Sequence, residues 1–102
     1  MNTRLLGAWQ SGGEIIDCLI LGERDCSIDG NPGRWSATEN EIWLLNGDGT
    51  TGTKWQFTLE PEDVLQFHDS EDFTYLGHGE YYYFQMIPPA MTITFHRDVR
   101  ET

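Results

Sequence analysis

At 102 residues the chain has room for one domain and one core, and not for a core plus a deep, lidded active site. Four Trp, four Tyr, five Phe and eleven Gly describe strands and turns rather than helices. A net charge of −11, from 17 acids against 6 bases, excludes nucleic acid as a partner and suits a basic protein.

The first residues, MNTRLLGAWQSGG, hold no long apolar run, so neither a signal peptide nor a membrane span is expected and the chain is placed in the cytoplasm. Residues 2–6 read as a helical turn leading into Gly7. Ile15 to Leu21 is strand or buried helix, with its β-branched content favouring strand. Cys18 and Cys26 read as free thiols of a reducing compartment, and without a Cys-x-x-Cys pair there is no zinc site; no metal or cofactor is expected. Asp29 to Gly33 is a turn. Ile42 and Leu44 oppose Trp43 and Leu45 in a short strand. Trp55, Phe57 and Leu59 alternate with Lys54, Gln56 and Thr58, the pattern of a strand with one face in the core. Glu60-Pro61 is a further turn. His68-Asp69-Ser70-Glu71-Asp72 is the densest polar cluster and reads as a histidine at a turn. In a continuing strand His68 and Asp69 would point to opposite faces. After Gly77-His78-Gly79 comes EYYYFQMI, residues 80–87, apolar or aromatic on both faces, which reads as a central strand or as one facing the core on one side and a groove on the other. Pro88-Pro89 breaks it. Met91, Ile93 and Phe95 then alternate with Thr92, Thr94 and His96. Short strands at this spacing make an antiparallel meander that forms a small barrel or half-open barrel of about seven or eight strands, all in one domain.

The stretch NGDGTTGTKWQFT, residues 46–58, is close to a phosphate loop, but it has Gly52-Thr53-Lys54 where that loop needs Gly-Lys-Thr. A phosphate loop also requires a helix after its lysine, and Lys54 opens a period-two strand. Asn46, Asp48 and Thr50 alternate like calcium ligands, yet Phe57 stands where the closing glutamate belongs. The stretch is read as a hairpin connection, with Asp48-Gly49 supplying the positive φ angles.

Leu5-Leu6-Gly7-Ala8-Trp9 carries a Gly-x-Trp on entry to the first strand, and the run MTITFHR ends in Arg97. This resembles the lipocalins and related calycin-like barrels. The resemblance implies that Gly7 and Trp9 close one end of a barrel and that Arg97, or secondarily Arg100, packs over the indole. It also implies an interior able to take an apolar small molecule, or one filled by side chains in so small a barrel.

No catalytic signature emerges. Ser70 has no nucleophile-elbow context, and Asp17 and Asp25 beside the cysteines disfavour thiolates. In EYYYFQMI the core face is assigned to Tyr82, Phe84 and Met86. Tyr81, Tyr83 and Gln85, together with Trp43 and His96, are the candidate groove or interface. Between Phe57 and His96 there is no Lys or Arg, while seven acids fall from Glu60 to Glu80. The expected function is non-enzymatic binding of an apolar small molecule or a protein, by a monomer or a homodimer. The alternative is an acidic, immunity-type inhibitor that neutralises a basic partner.

Overall fold

The computed structural model describes residues 3–13, 15–85 and 91–97. A 3-10 helix, Thr3–Leu5, leads into β1 (Gly7–Gln10), β2 (Cys18–Leu21), β3 (Asp25–Ile28), β4 (Asn31–Ala37), β5 (Glu41–Asn46) and β6 (Thr51–Glu60). Then come β7 (Val64–Gly77), β8 (Glu80–Phe84) and β9 (Ile93–Arg97). Every pairing is antiparallel, with the order β6-β5-β4-β3-β2-β1-β9-β7-β8, and an added β6–β7 ladder joins the sheet to itself. Eight strands therefore close a barrel, and β8 is an extra strand hung on β7. The all-β barrel matches the architecture read from the alternating sequence, here fully closed rather than half-open.

Alternation puts one row from each strand inside. Trp9, Leu19, Leu21, Ile42, Leu44, Trp55, Phe67, Leu65 and Phe95 are buried. Trp55 stacks on Phe67 with ring centroids 5.7 Å apart, and Phe67 meets Phe95 edge-on at 4.9 Å. These rings fill most of the interior, each stabilising the fold by about 2–3 kcal/mol through burial.

One end is closed by Arg97. Its guanidinium lies 4.2 Å from the centre of the Trp9 ring. Nη1 donates to the Leu6 carbonyl at 2.7 Å, Nη2 donates to the Arg4 carbonyl at 2.6 Å, and Nε pairs with Asp63 at 3.2 Å. The Trp9 indole N–H donates to the Leu5 carbonyl at 2.9 Å. One planar fork thus binds the start of the chain, the β6–β7 turn and the first indole. Gly7 has φ 120°, and a Cβ there would sit 2.7 Å from Arg97 Nη1. Arg100 lies outside the described residues.

The hairpins follow their turn chemistry. Asp29-Gly30 and His78-Gly79 have φ above zero at both central residues, as two-residue hairpins require. The stretch that imitates a phosphate loop joins β5 to β6. There Gly49 alone takes a positive φ, while Asp48 uses its carboxylate instead, accepting from the amides of Thr50 at 2.8 Å and Thr51 at 2.9 Å.

Several expectations are corrected. The first apolar run forms a strand only over Cys18–Leu21. Met91 is exposed and precedes β9. His68–Asp72 is not a turn but the middle of the 14-residue β7. The polar run survives in a strand because it carries a β-bulge: from Gln56↔His68 to Lys54↔Glu71, β7 spends one residue more than β6. Asp69 takes φ 51°, which turns its carboxylate back to His68 Nδ1 at 3.1 Å, so these two neighbours do converge. The bulge also forks the strand. Below it Val64–Phe67 pairs with β9; above it Asp72–Gly77 pairs with β8. Lastly, EYYYF is not a central strand, because β9 already occupies the barrel edge and β8 finds only the upper half of β7. Tyr82, assigned to the core, is 62% exposed, and Met86 and Ile87 lie outside the described residues.

Replacing Gly7 with Ala should cost about 2–4 kcal/mol, because the new methyl meets both a forbidden φ and the guanidinium. A thermal melt should show a drop of roughly 10 °C or more. Gly12→Ala, with φ 75° but open space around it, should cost only about 1 kcal/mol. The bonds from Thr51 and Thr50 hold the Asp48 carboxyl down at about 2, against an ordinary 3.8. Because the folded value is depressed, the hairpin should keep this contribution above 3.8 and lose it as pH falls through about 2. The Thr50 and Thr51 amide shifts followed through an acid titration would report that midpoint.

Candidate functional site

Opposed residues of a ladder share a face. Trp43↔Lys54, Lys54↔Glu71, Gly52↔Phe73, Phe73↔Tyr83 and Tyr75↔Tyr81 therefore lie on one side of β5-β6-β7-β8. The residues between them, Leu44, Thr53 and Asp72, face the interior, so this aromatic row is on the outside of the barrel.

It is a second, smaller core. Phe73 is 1% exposed, covered edge-on by Tyr81 at 5.0 Å and by Tyr83 at 6.3 Å. Gly52 makes room for it: a Cβ there would stand 2.6 Å from the Phe73 ring. The glycine that imitates a phosphate loop is in fact the floor under this ring. Trp43 lies 6.5 Å from Tyr81, and its indole N–H donates to the Tyr83 hydroxyl at 3.3 Å. Tyr75 leans on Tyr81 at 5.1 Å, and its hydroxyl accepts from the Gly79 amide at 3.2 Å.

Lys54, the one lysine of the chain, stands at the margin. Its ammonium is 3.2 Å from both Glu41 and Glu71 and 5.1 Å from the centre of the Tyr83 ring. Partial burial works against the charge, but the bonds to the two carboxylates win and hold its pKa above the ordinary lysine value.

A slot of about 110 Å³ opens between the rings, lined by Arg34, Trp43, Leu45, Phe73, Tyr75 and Tyr81. Arg34, Leu45 and Tyr75 also line a wider groove of about 660 Å³ that reaches Pro32 and Gly49. A separate cavity of about 160 Å³ lies at the mouth of the barrel, among Ile15, Ile16, Ile28, Leu44, Thr53 and Trp55. Nearby in the interior, Thr53 donates to Asp72 at 3.0 Å, while the Trp55 indole N–H and the Ser70 hydroxyl have no partner among the described residues.

Of the residues singled out in the sequence, Trp43, Tyr81 and Tyr83 come together. Gln85 ties the end of β8 to the bulge, its Nε2 donating to the Ser70 carbonyl at 2.6 Å. His96 is exposed on β9, paired with Gln10 and Val64 at the opposite end of β7. Gly7, Trp9 and Arg97 form the closure already described. Sequence reading missed Phe73, Tyr75, Arg34 and Lys54. The aromatic pair at spacing two was legible, but it follows the polar run that was read as a turn. Among the described residues, no cluster of three or more His, Cys, Asp or Glu is placed to hold a metal ion. No helix among them is long and apolar enough to cross a membrane.

Comparison with protein-family models, curated proteins and solved structures finds no match for this chain. The fold and the site define a closed eight-stranded antiparallel barrel carrying an external aromatic strand.

Burial, and secondarily the Asp25 charge, push the Cys26 thiol up to about 11. Raised this far, it stays protonated until the solution is strongly alkaline. Iodoacetamide near neutral pH should therefore leave Cys26 untouched in the folded chain and modify it once denaturant is added, as peptide mass mapping would show.

Proposed function

We propose that this protein is a non-enzymatic binding module of calycin-like type that engages a protein partner through its outer aromatic face. The observation that carries this reading is the placement of the rings. Trp9, Trp55, Phe67 and Phe95 occupy the barrel interior, while Trp43, Tyr75, Tyr81 and Tyr83 gather outside it around an open slot. Tyrosine and tryptophan bring large contact area at low entropic cost, and an apolar patch kept at the surface suits an interface. The calycin-like kinship is supported by the Gly7–Trp9–Arg97 packing at the closed end. The mouth cavity, at about 160 Å³, is the size of a pocket that holds one benzene-like molecule, which supports a large apolar ligand less well.

The alternative, an acidic inhibitor of a basic protein, is favoured by Lys54. Its ammonium, over the Tyr83 ring, is held between Glu41 and Glu71, so two carboxylates outweigh it there, while Arg34 borders the slot from β4.

Affinity capture with the immobilised chain tests the proposal. A partner retained by the native chain should be lost about tenfold or more by a Trp43→Ser/Tyr81→Ser variant that still melts cooperatively. A partner held equally by both would move the contact off this face. Native mass spectrometry that finds an apolar molecule retained by the chain, and lost on filling the mouth cavity with Thr53→Leu, would put the function inside the barrel.

A further inference from the structure

In the sheet order β8 stands at the end, and among the described residues it pairs with β7 alone. Closing a barrel removes every edge; here one edge has been put back. Edge strands are ordinarily blunted by lysine, proline or an inward charge, and EYYYF has neither lysine nor proline. Its five residues are nearly all strong strand formers. On one face Tyr82 and Phe84 stack at 6.2 Å, and on the other Tyr81 and Tyr83 stack at 5.9 Å.

Acids predominate around that edge, with Lys54 and Arg34 the described cations near its rings. β7, β8 and their connection carry Asp69, Glu71 and Glu80 at the surface, with Asp72 buried, and no Lys or Arg. Lys54 shows what this surface holds well: an ammonium between two carboxylates and over a tyrosine ring. Two copies, each at −11, would repel one another, which opposes self-pairing.

We infer that β8 is a docking edge for a basic, extended segment of a partner protein, which adds to the sheet as a tenth strand. Main-chain pairing along Glu80–Phe84 supplies the alignment. Lysine or arginine side chains of the added strand lie over Tyr81 and Tyr83 on the face that carries Glu71, or over Tyr82 on the face that carries Glu80. The inference rests on the proposed binding role and adds the mode of contact and the chemistry of the occupant.

The test uses the full chain and three synthetic probes: a short peptide of alternating lysine and valine, the same peptide N-methylated at alternate amides, and its glutamate–valine counterpart. Calorimetry should show binding of the first alone, weakening as salt rises. Hydrogen exchange should slow at the amides of β8 when it binds. Tyr82→Lys, at an exposed position, should weaken the basic probe about tenfold or more without lowering the melting temperature. Failure of the basic probe to bind, or protection elsewhere, overturns the inference. Equal binding of the methylated probe also overturns it, since charge alone would then suffice. If that binding is lost in Tyr81→Ser, the aromatic face keeps its role while strand addition fails. Sedimentation showing a dimer that Tyr82→Lys dissociates would assign the edge to a second copy instead, which overturns it as well.

Discussion

The barrel depends on one side chain. Arg97 binds the carbonyls of Arg4 and Leu6, pairs with Asp63 and covers Trp9. No other residue among those described draws together both ends of the described chain and the β6–β7 turn. The ladder that closes the ring there is short, only Trp9↔Arg97 and Gln10↔His96. Two backbone pairs would hold weakly by themselves. The guanidinium multiplies them because its donors are fixed in one plane, and its flat face needs a ring to lie on. Gly7 is bare so that this plane can approach. Lysine could supply the charge but neither the fork nor the stacking.

The second constraint is the bulge at Asp69. A 14-residue strand cannot follow the curve of so small a barrel along its whole length. The extra residue lets β7 part from β9 midway while staying on β6, and its upper half becomes the support for β8. The barrel edge and the aromatic wing are thus two uses of one strand. Gln85, bonded to the Ser70 carbonyl, stitches the wing to the point of departure.

What could be read from the sequence follows from this division. Trp55, Phe57 and Leu59, and likewise Ile93 and Phe95, alternate cleanly because each has one wet face and one dry face. Period two is then a direct record of burial. The Gly-x-Trp and the late Arg were legible because they are few and chemically specific. The fork was not legible. His68–Asp72 has the composition of a turn, and only the partner strand reveals that a bulge absorbs it. EYYYF misled for a related reason: rings on both faces look like full burial, whereas here one face covers Phe73 and the other leaves Tyr82 exposed. Composition records how greasy a segment is but not whether a neighbour has arrived to cover it. The roles of Gly52 and Lys54 were hidden because they depend on Phe73 and Tyr83, which are distant along the chain.

The meander has a consequence for the order of assembly. Strands β1 to β7 each pair with the strand before or after them, so their ladders can zip locally. The bond from Arg97 to Leu6 spans 91 positions. Bringing such distant points together costs about 4 kcal/mol of chain entropy on the length-dependent term alone. Closing the ring is therefore the least local step of the meander, and it falls at the seam between the first and last described strands. The chain must reach Arg97 before its first indole has its permanent cover, and until then the nascent sheet curls around a core that is open at one side.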